Sequence, residues 1–97
     1  MMFTARQQQS FLDYFDARIE ALADEIDEQK ILARHAFRRS DEGHGDQCAE
    51  SISQLRHQMA TLQTRRDEIE MTETIEDVYG IHTAARIDAL AETATAR

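Results

Sequence analysis

From Ala5 to Arg39 the chain reads ARQQQSFLDYFDARIEALADEIDEQKILARHAFRR, a run with neither glycine nor proline. Within it Ala5, Gln8, Leu12, Phe15, Ile19, Leu22, Ile26, Gln29, Ala33 and Ala36 recur at alternating steps of three and four. That is the a/d spacing of a coiled-coil seam, because 3.5 residues per turn keeps such positions on one side of a helix. Thr4 followed by Gln7 forms a capping box in which each side chain can take the other residue's free backbone N–H. The spacing therefore predicts one helix over about residues 4–39, roughly 54 Å long at 1.5 Å per residue. Two seam positions, Gln8 and Gln29, are polar.

Downstream, Ser40-Asp41-Glu42-Gly43-His44-Gly45-Asp46 is a dense cluster of turn-forming residues, with Asp46 placed to cap a second helix. The expected turn spans 40–46. The seam then resumes as Cys48, Ile52, Leu55, Met59, Leu62, Arg66 and Ile69, which predicts a second helix over about 46–71. Two seamed helices joined by a short turn make an antiparallel coiled-coil hairpin, and the fold class is all-α. The first helix is the longer, and its overhang exposes Phe3, Phe11 and Leu12 unless something covers them. One candidate is the C-terminal segment, where Thr74 can cap a short helix over about 74–79, Gly80 can end it, and another helix can run over about 83–92. The other is a second copy of the chain. Phe11 and Leu32 at g-type positions and Phe37 at an e-type position widen the apolar face beyond a two-helix seam, so a homodimer completing a bundle is expected, with Phe3, Phe11, Leu12 and Phe15 at the interface. Glu92 to Arg97 lack an apolar anchor and are expected to fray.

The whole chain is a single domain of 97 residues with 41% apolar content, enough for a modest core. No apolar run approaches the eighteen or so residues of a membrane span. A lone Cys48 can form neither an internal disulfide nor a multi-thiolate zinc site, which points to a reducing, cytoplasmic setting, that of the host cell if the chain is viral.

Charge is unevenly distributed. Nineteen acids face eleven bases, for a net charge of -8. Asp13, Asp16, Glu20, Asp24, Glu25, Asp27 and Glu28 form one block with Arg18 as its sole base, and Asp67, Glu68, Glu70, Glu73, Glu76 and Asp77 form a second. Folding back near Gly43 would bring both to one end. Asp16, Glu20, Asp24 and Asp27 fall on one outward helical row with neighbours about 5–6 Å apart, where like charges disfavour the helix by about 0.2–0.5 kcal/mol per pair. Such a row is either a solvated face or a surface for a cationic partner.

Constellations for catalysis are weak. His35, His44, Cys48 and His57 flank the turn, but the seam turns Cys48 inward and His35 and His57 outward, so no metal or other cofactor is expected. Nucleophilic triads and phosphate-cradling glycine loops are missing, and no enzyme is expected. Arg18, Arg34, Arg38 and Arg56 on long helices resemble small helical chorismate mutases in length and helicity alone. Thr74 to Leu90 faintly resembles a helix-turn-helix, with Arg86 where that motif has an apolar residue and five acids opposing DNA. The turn is similar to the tip of Gre-type transcript-cleavage factors in His44-Gly45-Asp46 followed by Glu50. That resemblance implies an RNA polymerase-binding coiled-coil factor with an acidic tip. It spans about thirty residues, places one extra residue between Asp46 and Glu50, and has no β-rich second domain after Met71.

The pattern as a whole predicts a protein-binding module that meets a basic surface on another protein through Asp13, Asp16, Glu20, Asp24, Asp27, Glu28 and Glu70. The sharper expectation is an acidic inhibitor or nucleic-acid mimic of the phage anti-defence type, since a rigid row of carboxylates can occupy a groove built for phosphates. The same field repels nucleic acid itself, so direct DNA or RNA binding is not expected. A structural coiled-coil scaffold, in which the acids serve solubility, is the alternative.

Overall fold

The computed structural model describes residues 2–95, with Thr95 described by its backbone alone. Four helices follow in order: α1 (Ala5–Arg38), α2 (Glu42–Glu70), α3 (Ile75–Tyr79) and α4 (Ile81–Thr95). Among the described residues there is no strand, only an isolated parallel bridge between Phe3 and Thr74. The long helices α1 and α2 pack against each other as a hairpin. The chain divides into two compact units, one made of residues 15–65 and the other of the N-terminal residues to Tyr14 together with the segment from Arg66 onward.

The 15–65 unit is the hairpin with its apolar seam. Every seam position in it, from Phe15 to Ala36 on α1 and from Cys48 to Leu62 on α2, is buried or half-buried, with Leu22, Ile26, Ala36 and Cys48 most enclosed. Heptad spacing alone thus located the core of this unit. The widening residues Leu32 and Phe37 are exposed.

The reversal differs from expectation. It occupies Arg39–Asp41 and not 40–46, and both Gly43 and Gly45 lie inside α2. The Asp41 N–H donates to the Ala36 carbonyl at 2.8 Å and the Ser40 N–H to the Phe37 carbonyl at 3.0 Å. This pair is a Schellman ending, which satisfies the last carbonyls of α1 and requires a left-handed residue just past the helix. Ser40, with φ 60°, takes that place instead of a glycine. Asp41, not Asp46, then caps α2, its carboxylate accepting from the His44 N–H at 3.1 Å. Glycine matters at Gly45 for another reason. A Cβ there would come within 2.6 Å of Phe37 Cζ, so the bare backbone lets the ring lie across the start of α2.

The other unit is knitted by polar contacts. Thr4 and Gln7 form the expected capping box: the Gln7 N–H donates to Thr4 Oγ1 at 3.1 Å and the Thr4 N–H to Gln7 Oε1 at 3.0 Å. Fully buried Thr4 also donates through Oγ1 to Asp88 Oδ1 at 2.8 Å. The Ala5 N–H donates to the Glu76 carboxylate, and Arg6 pairs with Glu92. Three carboxylates from the C-terminal segment, those of Glu76, Asp88 and Glu92, therefore meet the start of α1, where the helix dipole favours negative charge. Gln8, polar on an otherwise apolar seam, donates through Nε2 to the Ile69 carbonyl at 2.8 Å and the Thr72 carbonyl at 2.9 Å. It satisfies carbonyls that the end of α2 leaves open.

The Ile75 N–H donates to the Phe3 carbonyl at 2.7 Å, tying the first residues to the start of α3. Thr74 and Asp77 make a second capping box, and Gly80, with φ 95°, ends α3 by returning its N–H to the Ile75 carbonyl. Leu12, Ile75 and Ala84 are this unit's buried apolar residues. The final helix begins at Ile81, not near residue 83, and stays helical through Thr95. Residues 92–95, expected to fray, lie within α4, with Glu92 paired to Arg6. Ala96 and Arg97, also expected to fray, lie outside the described residues.

Candidate partner-binding face on α1

The first acidic block maps onto α1. Asp13, Asp16, Glu20, Asp24, Asp27 and Glu28 are all exposed, and the helix fixes the steps from Asp16 to Glu20 to Asp24 at four residues and from Asp24 to Asp27 at three. Neighbours at those steps share a face. Asp27 has Lys30 Nζ at 3.9 Å, Asp13 accepts from Gln9 Nε2 at 2.8 Å, and Asp16 also has an interaction within the chain. The side chains of Glu20, Asp24 and Glu28 make no hydrogen bond or ion pair among the described residues. On α2 no acid falls between Ser51 and Thr64, and the acids of this unit on that helix, Glu42, Asp46 and Glu50, stand near its start.

The second acidic block does different work. Glu76 accepts from the Ala5 N–H, leaving its Oε1 buried without a hydrogen-bond partner. Asp77 accepts from the Thr74 backbone N–H at 2.9 Å and from its hydroxyl at 3.0 Å. Those two hydrogen bonds, the backbone one first, hold its carboxyl below the usual aspartate range. Glu70 is held by Arg66 Nη1 at 2.9 Å. Three of these six acids therefore already have partners in the fold, which sequence reasoning could not see, because a capping carboxylate and a free one look alike in a composition count. Asp16–Glu28 belong to the 15–65 unit, whereas Asp13 and Asp67–Asp77 belong to the other.

The four residues expected at an oligomer interface differ in environment. Leu12 is buried within the chain and Phe15 is half-buried. Phe3 is half-buried, its ring lying against Phe11 at a centroid distance of 4.9 Å and a tilt of 50°. Phe11 keeps 43% of its surface exposed. Of the two candidate covers for the overhang, the C-terminal segment thus reaches Phe3 from within the same chain.

Around the turn, Cys48 is buried with its Sγ 3.9 Å from His44 Nε2 one helical turn away. Among the described residues no three His, Cys, Asp or Glu side chains converge as metal ligands. His44, Gly45 and Asp46 belong to α2, so the Gre-like tip residues lie along a helix and not in the turn. Arg18, Arg34, Arg38 and Arg56 are all exposed. No helix among the described residues is long and apolar enough to cross a membrane. Comparisons with protein-family models, curated proteins and solved structures give no match.

Proposed function

We propose that this chain is a non-enzymatic protein-binding module whose α1 face engages a basic surface on another protein, as an acidic inhibitor or nucleic-acid mimic would. The carrying observation is the exposed row Asp16, Glu20, Asp24 and Asp27, set at helical steps of four, four and three on α1. A rigid helix presents these charges without further ordering, and a concentrated negative field accelerates association with a cationic groove while making it sensitive to salt. The second acidic block contributes less, because Glu70, Glu76 and Asp77 are engaged within the fold.

A pull-down from an extract of the source cells, run in parallel with wild type and with Asp16→Asn, Glu20→Gln, Asp24→Asn and Asp27→Asn combined, tests the reading. Wild type should retain a nucleic-acid-handling protein that added DNA or RNA displaces, and the neutral variant should lose it while keeping its helical circular dichroism. Equal capture by both would end the proposal.

A further inference from the structure

Within the 15–65 unit, the outward side of α1 does not end with its acids. Glu20, Asp24, Asp27, Ile31, Arg34 and Arg38 follow one another at steps of four, three, four, three and four on the one helix. At about 100° per residue all six fall within an arc of about 80°, so they make a single line about 27 Å long. All six are exposed, Ile31 by 52%. Along the line three acids give way to an isoleucine and then to two arginines. The side chains of Arg34 and Arg38 make no ion pair among the described residues, although Glu42, Asp46 and Glu50 belong to the same unit. The helix dipole favours cations in the last turn and so accounts for Arg38, but its effect has faded at Arg34.

We propose that the partner met by the acidic row is a folded protein carrying charge of both signs: a basic segment opposite Glu20, Asp24 and Asp27, an apolar socket for Ile31, and an acidic segment opposite Arg34 and Arg38. This rests on the function proposed above and narrows its partner. Arg34 stands only about 10 Å along the helix from Asp27, close to one screening length in physiological salt. A cationic groove running on past the acids would therefore lie directly under two arginines, and like charges set face to face across an interface oppose association. The basic surface gives out near Ile31, so the stretch of phosphates imitated is short. Charge also selects the class of partner. Nucleic acid has no cations to offer the acids, and an anionic membrane repels them, whereas a folded protein can present both signs along one line. Ile31 stands where the sign changes, and charges on both sides of it close the contact against water, the arrangement in which a buried apolar anchor contributes most.

A partner of this kind also fixes direction. Turning α1 end for end would set Arg34 and Arg38 on the basic segment and the acids on the acidic one, so the chain docks one way only. A uniformly basic groove would take the acids in either direction. Arg34 and Arg38 therefore determine specificity, and the acids supply the attraction.

The probe is the protein that wild type retains in the pull-down, purified and titrated calorimetrically against the full chain at about 0.15 M salt. Arg34→Glu and Arg38→Glu combined should weaken binding at least tenfold, since they set acids against the partner's acidic segment. Ile31→Ser should weaken it about tenfold, with circular dichroism unchanged throughout. A charge reversal that leaves binding equal or tighter overturns the inference, as does an unaltered affinity for Ile31→Ser. If neutralising Asp16, Glu20, Asp24 and Asp27 still abolishes binding in that case, the function proposed above stands with a uniformly basic partner. Full binding by the neutral variant, or a wild type that retains no protein, overturns both. Should the reversal lose helical signal, Arg34→Gln with Arg38→Gln is the second arm. It should weaken binding about threefold, and an unchanged affinity there also overturns the inference.

Discussion

Residues 15–65 and the remaining unit are held together by different physics. The hairpin closes on a periodic apolar seam whose most enclosed large members, Leu22 and Ile26, are about 95% buried. The other unit buries Leu12, Ile75 and Ala84 and adds a set of directional hydrogen bonds: Thr4 to Asp88, Ala5 to Glu76, Gln8 to the end of α2, and Thr74 with Asp77. Apolar burial is non-directional and survives small shifts, whereas a hydrogen bond is lost with a few tenths of an ångström or one proton. The two regions should therefore fail in different ways.

Leu22→Ala should be the most damaging single change. Removing a buried leucine destabilises by about 2–5 kcal/mol, read as a lower denaturant midpoint with amide protection lost across residues 15–65. Thr4→Ala should come next, at about 1–2 kcal/mol, because one hydroxyl serves as the N-cap of α1 and as donor to Asp88. Its signature is regional: exchange should quicken over residues 2–14 and 66–95 while the Ile26 amide stays protected. Equal loosening of both units by either substitution would break the contrast.

Ser40→Gly should act in the opposite direction and stabilise the chain by about 1 kcal/mol, since glycine occupies a left-handed position without the steric penalty a serine meets. Thermal denaturation would show it, and a lower midpoint would mean that the Schellman ending contributes little. The smallest effect concerns acid. Asp77 has a depressed carboxyl in the fold, so the stabilisation from its cap is fully present above the ordinary aspartate value of about 3.9 and disappears as pH falls through the lower folded value. Exchange at α3 should accelerate below that window in wild type, and Asp77→Asn should flatten this dependence. An identical acid response in the variant would show that another carboxylate governs α3.

Legibility in the sequence follows the same division. The two long helices, the seam, the Thr4–Gln7 capping box and the Thr74 cap were readable because helix periodicity and caps are local in sequence. The turn was misplaced since two glycines outweighed Ser40 in a reading of turn residues, although a serine can adopt the left-handed conformation when the Schellman hydrogen bonds compensate. Gln8 read only as a polar flaw in the seam. Its purpose depends on carbonyls more than sixty residues away.

By itself, then, the sequence determined that this protein is helical, where its seam runs and that its charge is concentrated in two acidic blocks. Tertiary structure decided which acids find a partner: Glu20 and Asp24 on α1 have no side-chain partner among the described residues, while Glu76 and Asp77 are taken up by the helix starts they satisfy. The reason is range. Heptad spacing and capping act over three to seven residues and are written directly in the order of side chains. Whether a carboxylate meets an amide from the far end of the chain is settled only once the chain has folded.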